Sequence, residues 1–343
     1  MKKVLLIILT LYLATVDAVA DTKLYSGEVV VASQAEEERN EVIPEALIQV
    51  LQKISGQREM PISPALDEAL QNADRMLLSF RYKNVDRAGP DGNINPELRL
   101  VASFMQPEVD RVVQQIGLPR WQQERPPVQI WAVLDDGRGR QLKPVEYEYA
   151  WGAMEDMAAL RGLPIEWPEL DEEELQLIDM SLLWGGFTDY LVERGAPGDG
   201  VAIVAARREG PQWTLRWNLT ANGKNWSWRN TDDELMFALA DGIHQMTNQV
   251  AAANAIAASE QREWSIDVAI GGLRNAADYA SCLGYLQGLS LVTAVDVVGA
   301  EPGLVHFRMQ LNAAPEYLGE AFNRSTVLVT ARSGSDYEYE FLQ

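Results

Sequence analysis

The sequence predicts an α+β protein of three small α/β-sandwich-like domains, built on mixed or antiparallel sheets, the last with the ferredoxin-like βαββαβ order. Three observations carry this reading. Short runs rich in Val, Ile and Trp alternate with apolar patterns at helical spacing along most of the chain. Polar or Pro-rich joints, Arg125-Pro126-Pro127 above all, divide these runs into groups. Asn222-Gly223 stands between two Trp-bearing runs and marks a tight antiparallel hairpin. The expected domains are 21–122 (βαββα), 126–259 (α/β, with a three-stranded meander and a long helix) and 263–343 (βαββαβ). A chain of 343 residues is long for one core and comfortable for two or three.

Residues 1–20 stand apart. Lys2 and Lys3 precede the apolar run Val4 to Ala14, and Ala18-Val19-Ala20 offers small residues at both recognition positions of a cleavage site. This is the pattern of a secretory signal peptide cut after Ala20. The apolar run is too short for a membrane-spanning helix. The expectation is export, in a bacterium to the periplasm, with no transmembrane segment in the mature chain. Cys282 lies far from the cleavage site, so the mature protein is not expected to be a lipoprotein.

In the first domain, Leu24 to Ala32 reads as a strand. Ser33 is placed to cap a helix running to about Ser55, where Ala46, Leu47, Val50, Leu51 and Ile54 form one apolar face and Gly56 a stop. Strands follow around Arg75 to Asn84 and Leu98 to Met105, joined by the turn formers of Ala88 to Asn93. A helix from Gln106 to Ile116, with Pro107 at a tolerated early position, closes the unit.

The middle domain opens with Val128 to Leu134, apolar enough for a strand buried on both faces. A helix over Glu146 to Arg161 is broken by Gly162-Leu163-Pro164, which leads to an extended piece near Trp167. A further helix spans Glu172 to Glu193, with an interruption expected at Gly185-Gly186. Val201 to Ala206, Trp213 to Thr220 and Asn225 to Arg229 form the meander. The Asn-Gly turn pairs Leu219 with Trp226 and Trp217 with Trp228, which puts them on one face with Leu215 and Trp213. Thr231 to Glu234 is a capping box for a helix to about Ser259. In the last domain, strands at Trp264–Ile270, Leu291–Val298, Leu304–Leu311 and Thr326–Thr330 alternate with helices at Ala276–Leu289 and Pro315–Asn323.

Composition narrows the functions. A formal charge of −21 repels phosphate backbones and anionic lipid surfaces, and no run of the sequence concentrates Lys and Arg, so nucleic-acid binding is not expected. One cysteine, Cys282, and two histidines, His244 and His306, leave too few ligands for a zinc site built on His and Cys. Cys282 reads as a buried structural thiol. Carboxylates are the only plentiful catalytic type. Asp135-Asp136 ends a buried strand, and with Glu166 would suit acid–base work on a glycan or peptidoglycan strand; the plainer reading is a polar turn. Glu169 to Glu174 reads as a solvated helix start rather than a calcium loop. Trp213, Trp217, Trp226 and Trp228 suit sugar stacking if exposed, and a packed core face if buried. Nucleophile elbows, phosphate loops and dinucleotide fingerprints do not occur.

Several stretches carry a family resemblance: Ala46 through Gly56, Trp131 to Gly137, Arg161-Gly162-Leu163-Pro164 and Leu183-Trp184-Gly185-Gly186. Gln212-Trp213, Arg216-Trp217 and the unit from Asp278-Tyr279 to Val295 complete the set. Through these the chain resembles exported proteobacterial proteins of domain-of-unknown-function family 2066. That resemblance implies export and brings no catalytic, cofactor-binding or metal-binding residue to transfer. The middle unit is also similar, at the level of fold alone, to small α/β domains of envelope assembly proteins. The expected function is a non-enzymatic binding or assembly factor of the cell envelope, needing no cofactor and partnered by an envelope protein or cell-wall component. The alternatives are a carboxylate-dependent envelope hydrolase and a glycan or small-ligand receptor.

Overall fold

The computed structural model describes residues 24–89, 93–122, 125–196, 200–301, 303–323, 325, 327–330 and 338–342. The leader expected at residues 1–20 lies outside the described residues, as does the centre of the hairpin loop at 90–92. The protein is a mixed α/β structure with four sheets among the described residues, mixed or antiparallel, as its sequence pattern predicts.

In the first segment, β1 (Ser26–Val30), β2 (Leu77–Ala88) and β3 (Ile94–Phe104) form an antiparallel sheet in the order β1-β3-β2. Helices α1 (Glu36–Ser55), α2 (Pro64–Gln71) and α3 (Gln106–Ile116) surround one core with it, in which Leu47, Val50 and Leu51 meet Leu100, Ala102 and Phe104. The apolar spacing of α1 and its stop at Gly56, in the left-handed region at φ 71°, match the sequence. Two details differ. Ser33 does not cap α1: its hydroxyl donates to the Glu38 carboxylate at 2.6 Å, and Ala35 takes the cap position. α2 is not among the expected elements, although Ser63, which accepts from the Leu66 N–H, and Pro64 beside it are ordinary start signals.

The middle sheet runs β10-β9-β8-β5-β6, with β7 also paired to β5. Its strands are β5 (Val128–Asp135), β6 (Arg140–Leu142), β7 (Ile165–Glu166), β8 (Val201–Glu209), β9 (Gln212–Ala221) and β10 (Lys224–Asp232). β5 and β8 are parallel, and β8-β9-β10 is the expected meander. Asn222 and Gly223 take φ of 50° and 70°, the two positive values that a type I′ turn demands. The register pairs Leu219 with Trp226 and Trp217 with Trp228, as the turn dictates. Trp213, Leu215, Trp217 and Leu219 are buried beneath α4 (Glu148–Arg161) and α8 (Leu235–Asn254). The Trp217 and Trp228 rings stack with centroids 5.7 Å apart. Gly242 lets α8 approach them: a β-carbon there would lie 2.1 Å from the Trp217 ring.

On the opposite face, Trp131, Val133, Val201 and Ile203 pack under Leu183 and Leu191, so the central strands are buried on both sides. The helix expected over Glu172 to Glu193 is instead three: α5 (Glu172–Gln176), α6 (Met180–Gly185) and α7 (Thr188–Glu193). Gly186, at φ 82°, breaks the chain where expected, and Asp179 makes the second break by capping α6. The capping box at Thr231 to Glu234 does not form. Ladder pairing with Thr214 and Trp213 keeps Thr231 and Asp232 in β10, and α8 starts at Leu235. That helix ends at Asn254 rather than Ser259, because β11 (Ala255–Ile256) departs to pair with β4 (Arg120–Trp121).

The last segment follows the βαββαβ order through β12 (Trp264–Gly271), α9 (Ala276–Gly288), β13 (Val292–Glu301), β14 (Leu304–Leu311), α10 (Pro315–Asn323) and β15 (Leu328–Thr330). A further strand, β16 (Glu338–Phe341), has no counterpart in that reading. It inserts parallel to β12 and displaces β15 to the edge, giving the order β13-β14-β12-β16-β15. Val268, Ile270, Phe307, Cys282, Leu286 and Phe322 form its core.

Candidate functional site

The carboxylates singled out by the sequence are not brought together. Asp135 and Asp136 close β5 as a polar turn, accepting from the backbone N–H groups of Gly137 and Arg138 at 3.1 Å each. Hydrogen bonds from the Arg138 side chain first, and also from the Tyr147 hydroxyl, hold Asp136 well below the usual carboxylate range. A general acid needs the opposite shift. Glu166 pairs with Gln129, at the far end of β5. Six residues of strand separate that register position from Asp135, about 20 Å at the usual rise. Carboxylate pairs of glycoside hydrolases stand about 5 to 10 Å apart.

The other candidates resolve as parts of the framework. Asp171 caps α5 in a complete capping box with Glu174, the helix-start reading of the acidic run. Trp213, Trp217 and Trp228 are buried, and Trp226 packs against the same core, which removes the sugar-stacking platform. Cys282 is buried, and burial pushes its thiol up to about 12. Among the described residues, no group of three or more His, Cys, Asp or Glu is placed to hold a metal ion. Nor is any helix among them long and apolar enough to cross a membrane.

His244 belongs to a joint that the sequence did not reveal. Arg161, fully buried at the end of α4, donates to the Gly56 carbonyl at 2.7 Å and to Asn248 Oδ1 at 2.9 Å. Its Nη1 lies 2.8 Å from His244 Nδ1. A guanidinium only donates, so His244 Nδ1 accepts and its ring proton sits on Nε2. Burial, then the charges of Arg58 and Arg161, push His244 down to about 4. Arg125 ties the same elements, donating to the carbonyls of Gly162 at 2.7 Å and Lys53 at 2.9 Å while resting 3.7 Å over the Trp121 ring. Two guanidinium groups thus meet carbonyls at the ends of α1 and α4, where the helix dipoles are negative.

The second face of the middle sheet gathers arginines and two buried donors, Arg216 Nε and Asn218 Nδ2, that have no acceptor among the described residues. Alternation along β9 that buries Trp213, Leu215 and Trp217 turns Thr214, Arg216 and Asn218 to this side. The ladder sets Arg216 directly opposite Arg229 of β10. Arg140 of β6 and Arg207 of β8 flank Asp135 in the adjoining ladders. Trp184, at the end of α6, is the centre. Arg140 and Arg207 lie 4.8 Å and 5.0 Å from its ring centroid, and Arg216 donates to its carbonyl. None of the four arginines forms an ion pair with a described carboxylate. Burial, and then the charges of Arg229, Arg207 and Arg140, pull Arg216 below the usual guanidinium range. Arg216 Nε and Asn218 Nδ2 are shielded from solvent without an acceptor among the described residues. Asn218 lies against Gly186, where a β-carbon would come within 2.1 Å of Nδ2. The sequence did hold one signal for this face: the register that pairs Trp217 with Trp228 also pairs Arg216 with Arg229.

Comparisons with known proteins find one family model that is similar to part of the chain. Residues 18–122 match the model of a domain of unknown function (DUF8605). This corrects the resemblance drawn above, since family 2066 is a different domain of unknown function. No curated protein matches the chain. Among solved structures, the N-terminal domain of Protein Y from Thermus thermophilus matches at 14% identity over 25% of this chain and 88% of that one, with a TM-score of 0.16. An uncharacterized protein matches at 11% identity over 37% of this chain and 94% of that one, also with a TM-score of 0.16. Structural agreement at that level carries no argument about fold or function.

Proposed function

We propose that this chain is an exported periplasmic protein acting without catalysis, as a binding or assembly factor of the cell envelope. One observation carries the reading: four arginines without ion-pair partners among the described residues share one sheet face in a chain whose formal charge is −21. Unpaired cations gathered by strand register are a recognition surface, whereas the carboxylates available for hydrolysis are dispersed or held in turns. Export rests on the leader sequence alone. The division at 21–122, 126–259 and 263–343 belongs to the same proposal, with the first two domains moving as one block because Arg161 and Arg125 tie them.

The test is crosslinking of the tagged protein in cells, with the wild type beside an Arg207→Gln/Arg229→Gln variant. A reproducible envelope component held by the wild type and lost in the variant supports the reading. Capture unchanged by the variant overturns the role of this face, and turnover of an envelope glycan by the purified protein overturns the non-enzymatic role. N-terminal sequencing of the periplasmic fraction should begin at Asp21.

A further inference from the structure

We infer that the arginine face around Trp184 is a binding site for a phosphoryl group, either free phosphate or a phosphate ester; this inference rests on reading that face as a recognition surface. Electrostatics leads there. Like charges directly opposite in an antiparallel ladder are destabilising, and Arg216 and Arg229 occupy such a pair. Arg140 and Arg207 gather at the same tryptophan. The acid nearest in the ladder is Asp135, whose Oδ1 accepts from the Gly137 N–H and which forms no ion pair with any of the four. An anion arriving here removes a repulsion that the fold otherwise sustains.

The rest of the molecule limits what kind of anion. A formal charge of −21 repels extended polyanions such as nucleic acid or an acidic bilayer. A compact group that reaches only the local positive field escapes most of that repulsion. The arrangement of donors then separates phosphoryl from carboxylate. A planar carboxylate is satisfied by one guanidinium fork, while a tetrahedral phosphoryl presents three or four oxygens to donors arriving from several directions. Here the guanidinium groups rise from four different strands, β6, β8, β9 and β10. Beneath the Trp184 to Gly186 segment, Asn218 Nδ2 is one further donor, and it and the Nε of the Arg216 guanidinium have no acceptor among the described residues. Buried orphan donors of this kind are costly unless an acceptor reaches them.

The test is calorimetric titration of the full chain at constant ionic strength with three probes: inorganic phosphate, glycerol 3-phosphate and acetate. Saturable binding of phosphate or glycerol 3-phosphate is expected, with acetate at least about tenfold weaker. Preference between the two phosphates identifies the source as the free ion or the ester. Arg207 and Arg229 are exposed, so Arg207→Gln/Arg229→Gln should fold as the wild type does and bind phosphate about tenfold more weakly. Absence of saturable phosphate binding, equal binding by the double variant, or acetate binding as tightly as phosphate each overturns the inference. A blank titration beside an intact, arginine-dependent crosslink strikes this inference alone. Saturable phosphate binding with no crosslinked partner strikes the envelope-factor reading alone.

Discussion

The two faces of the middle sheet are made by alternate residues of the same strands, yet they are finished in different ways. Trp213, Leu215, Trp217 and Leu219 lie under two long helices and leave one buried core. Thr214, Arg216, Asn218 and Thr220, one position out of phase, lie on the side of three short helices, and there charge is unpaired and donors are orphaned. Packing explains the first face with one remainder, the buried Trp228 Nε1, which has no acceptor among the described residues. It does not explain the second, where a neutral residue at Arg229 would relieve repulsion at no cost in buried area. A face that keeps such a cost is the better place to look for a ligand.

Substitutions should separate the faces by the size of their effect. Trp217→Ala removes a fully buried ring stacked on Trp228, and a loss of about 3 to 5 kcal/mol is expected by urea unfolding. A loss below about 1 kcal/mol would mean that this face is less tightly packed than its burial states. Arg161→Ala should follow at about 3 kcal/mol, since it strips the Gly56 carbonyl, Asn248 and His244 of a shared donor. Arg161→Met should recover part of that loss by refilling the space, and failure to do so would give hydrogen bonding the whole effect.

Acid should act on the closed side as well. The fold holds His244 neutral, with its pKa pushed from an ordinary 6.5 down to about 4. The unfolded chain therefore takes up a proton first as pH falls. Stability contributed by the neutral ring is present above pH 6.5 and is lost as pH drops through about 4. The ring is only partly buried, so solvent screening reduces the effect to about 1 kcal/mol. Unfolding midpoints between pH 7 and 4 should decline less steeply in His244→Gln than in the wild type. The smallest change is expected on the open face: Arg207→Gln/Arg229→Gln should leave stability within about 0.5 kcal/mol of the wild type or raise it. A clear loss of stability there would show that these arginines hold the fold rather than await a ligand.

What the sequence revealed and what it hid follow one division. Local signals were sufficient wherever a few adjacent residues decide the geometry. Asn222-Gly223 set the turn, the turn set the register, and the register placed four tryptophans on one side. Gly56 and Gly186 ended helices for the same local reason. The capping box at Thr231 failed because strand pairing with β9 claimed those residues first, a competition that no window of adjacent residues displays. Distance in sequence hid the joint and the arginine face. Arg161 meets Gly56, His244 and Asn248 only after three helices have packed. Arg140, Arg207, Arg216 and Arg229 come to one face only when five strands, β5 among them, are in register.

The insertion of β16 beside β12 sets an order of events for the last sheet. Residues from Trp264 onward are made, and threaded through any export channel, long before Glu338–Phe341 arrive. Until then β12 has an open flank, because β16 is the strand that will lie between it and β15. For that interval the nascent sheet can accept a strand from elsewhere, the hazard of any uncovered β edge.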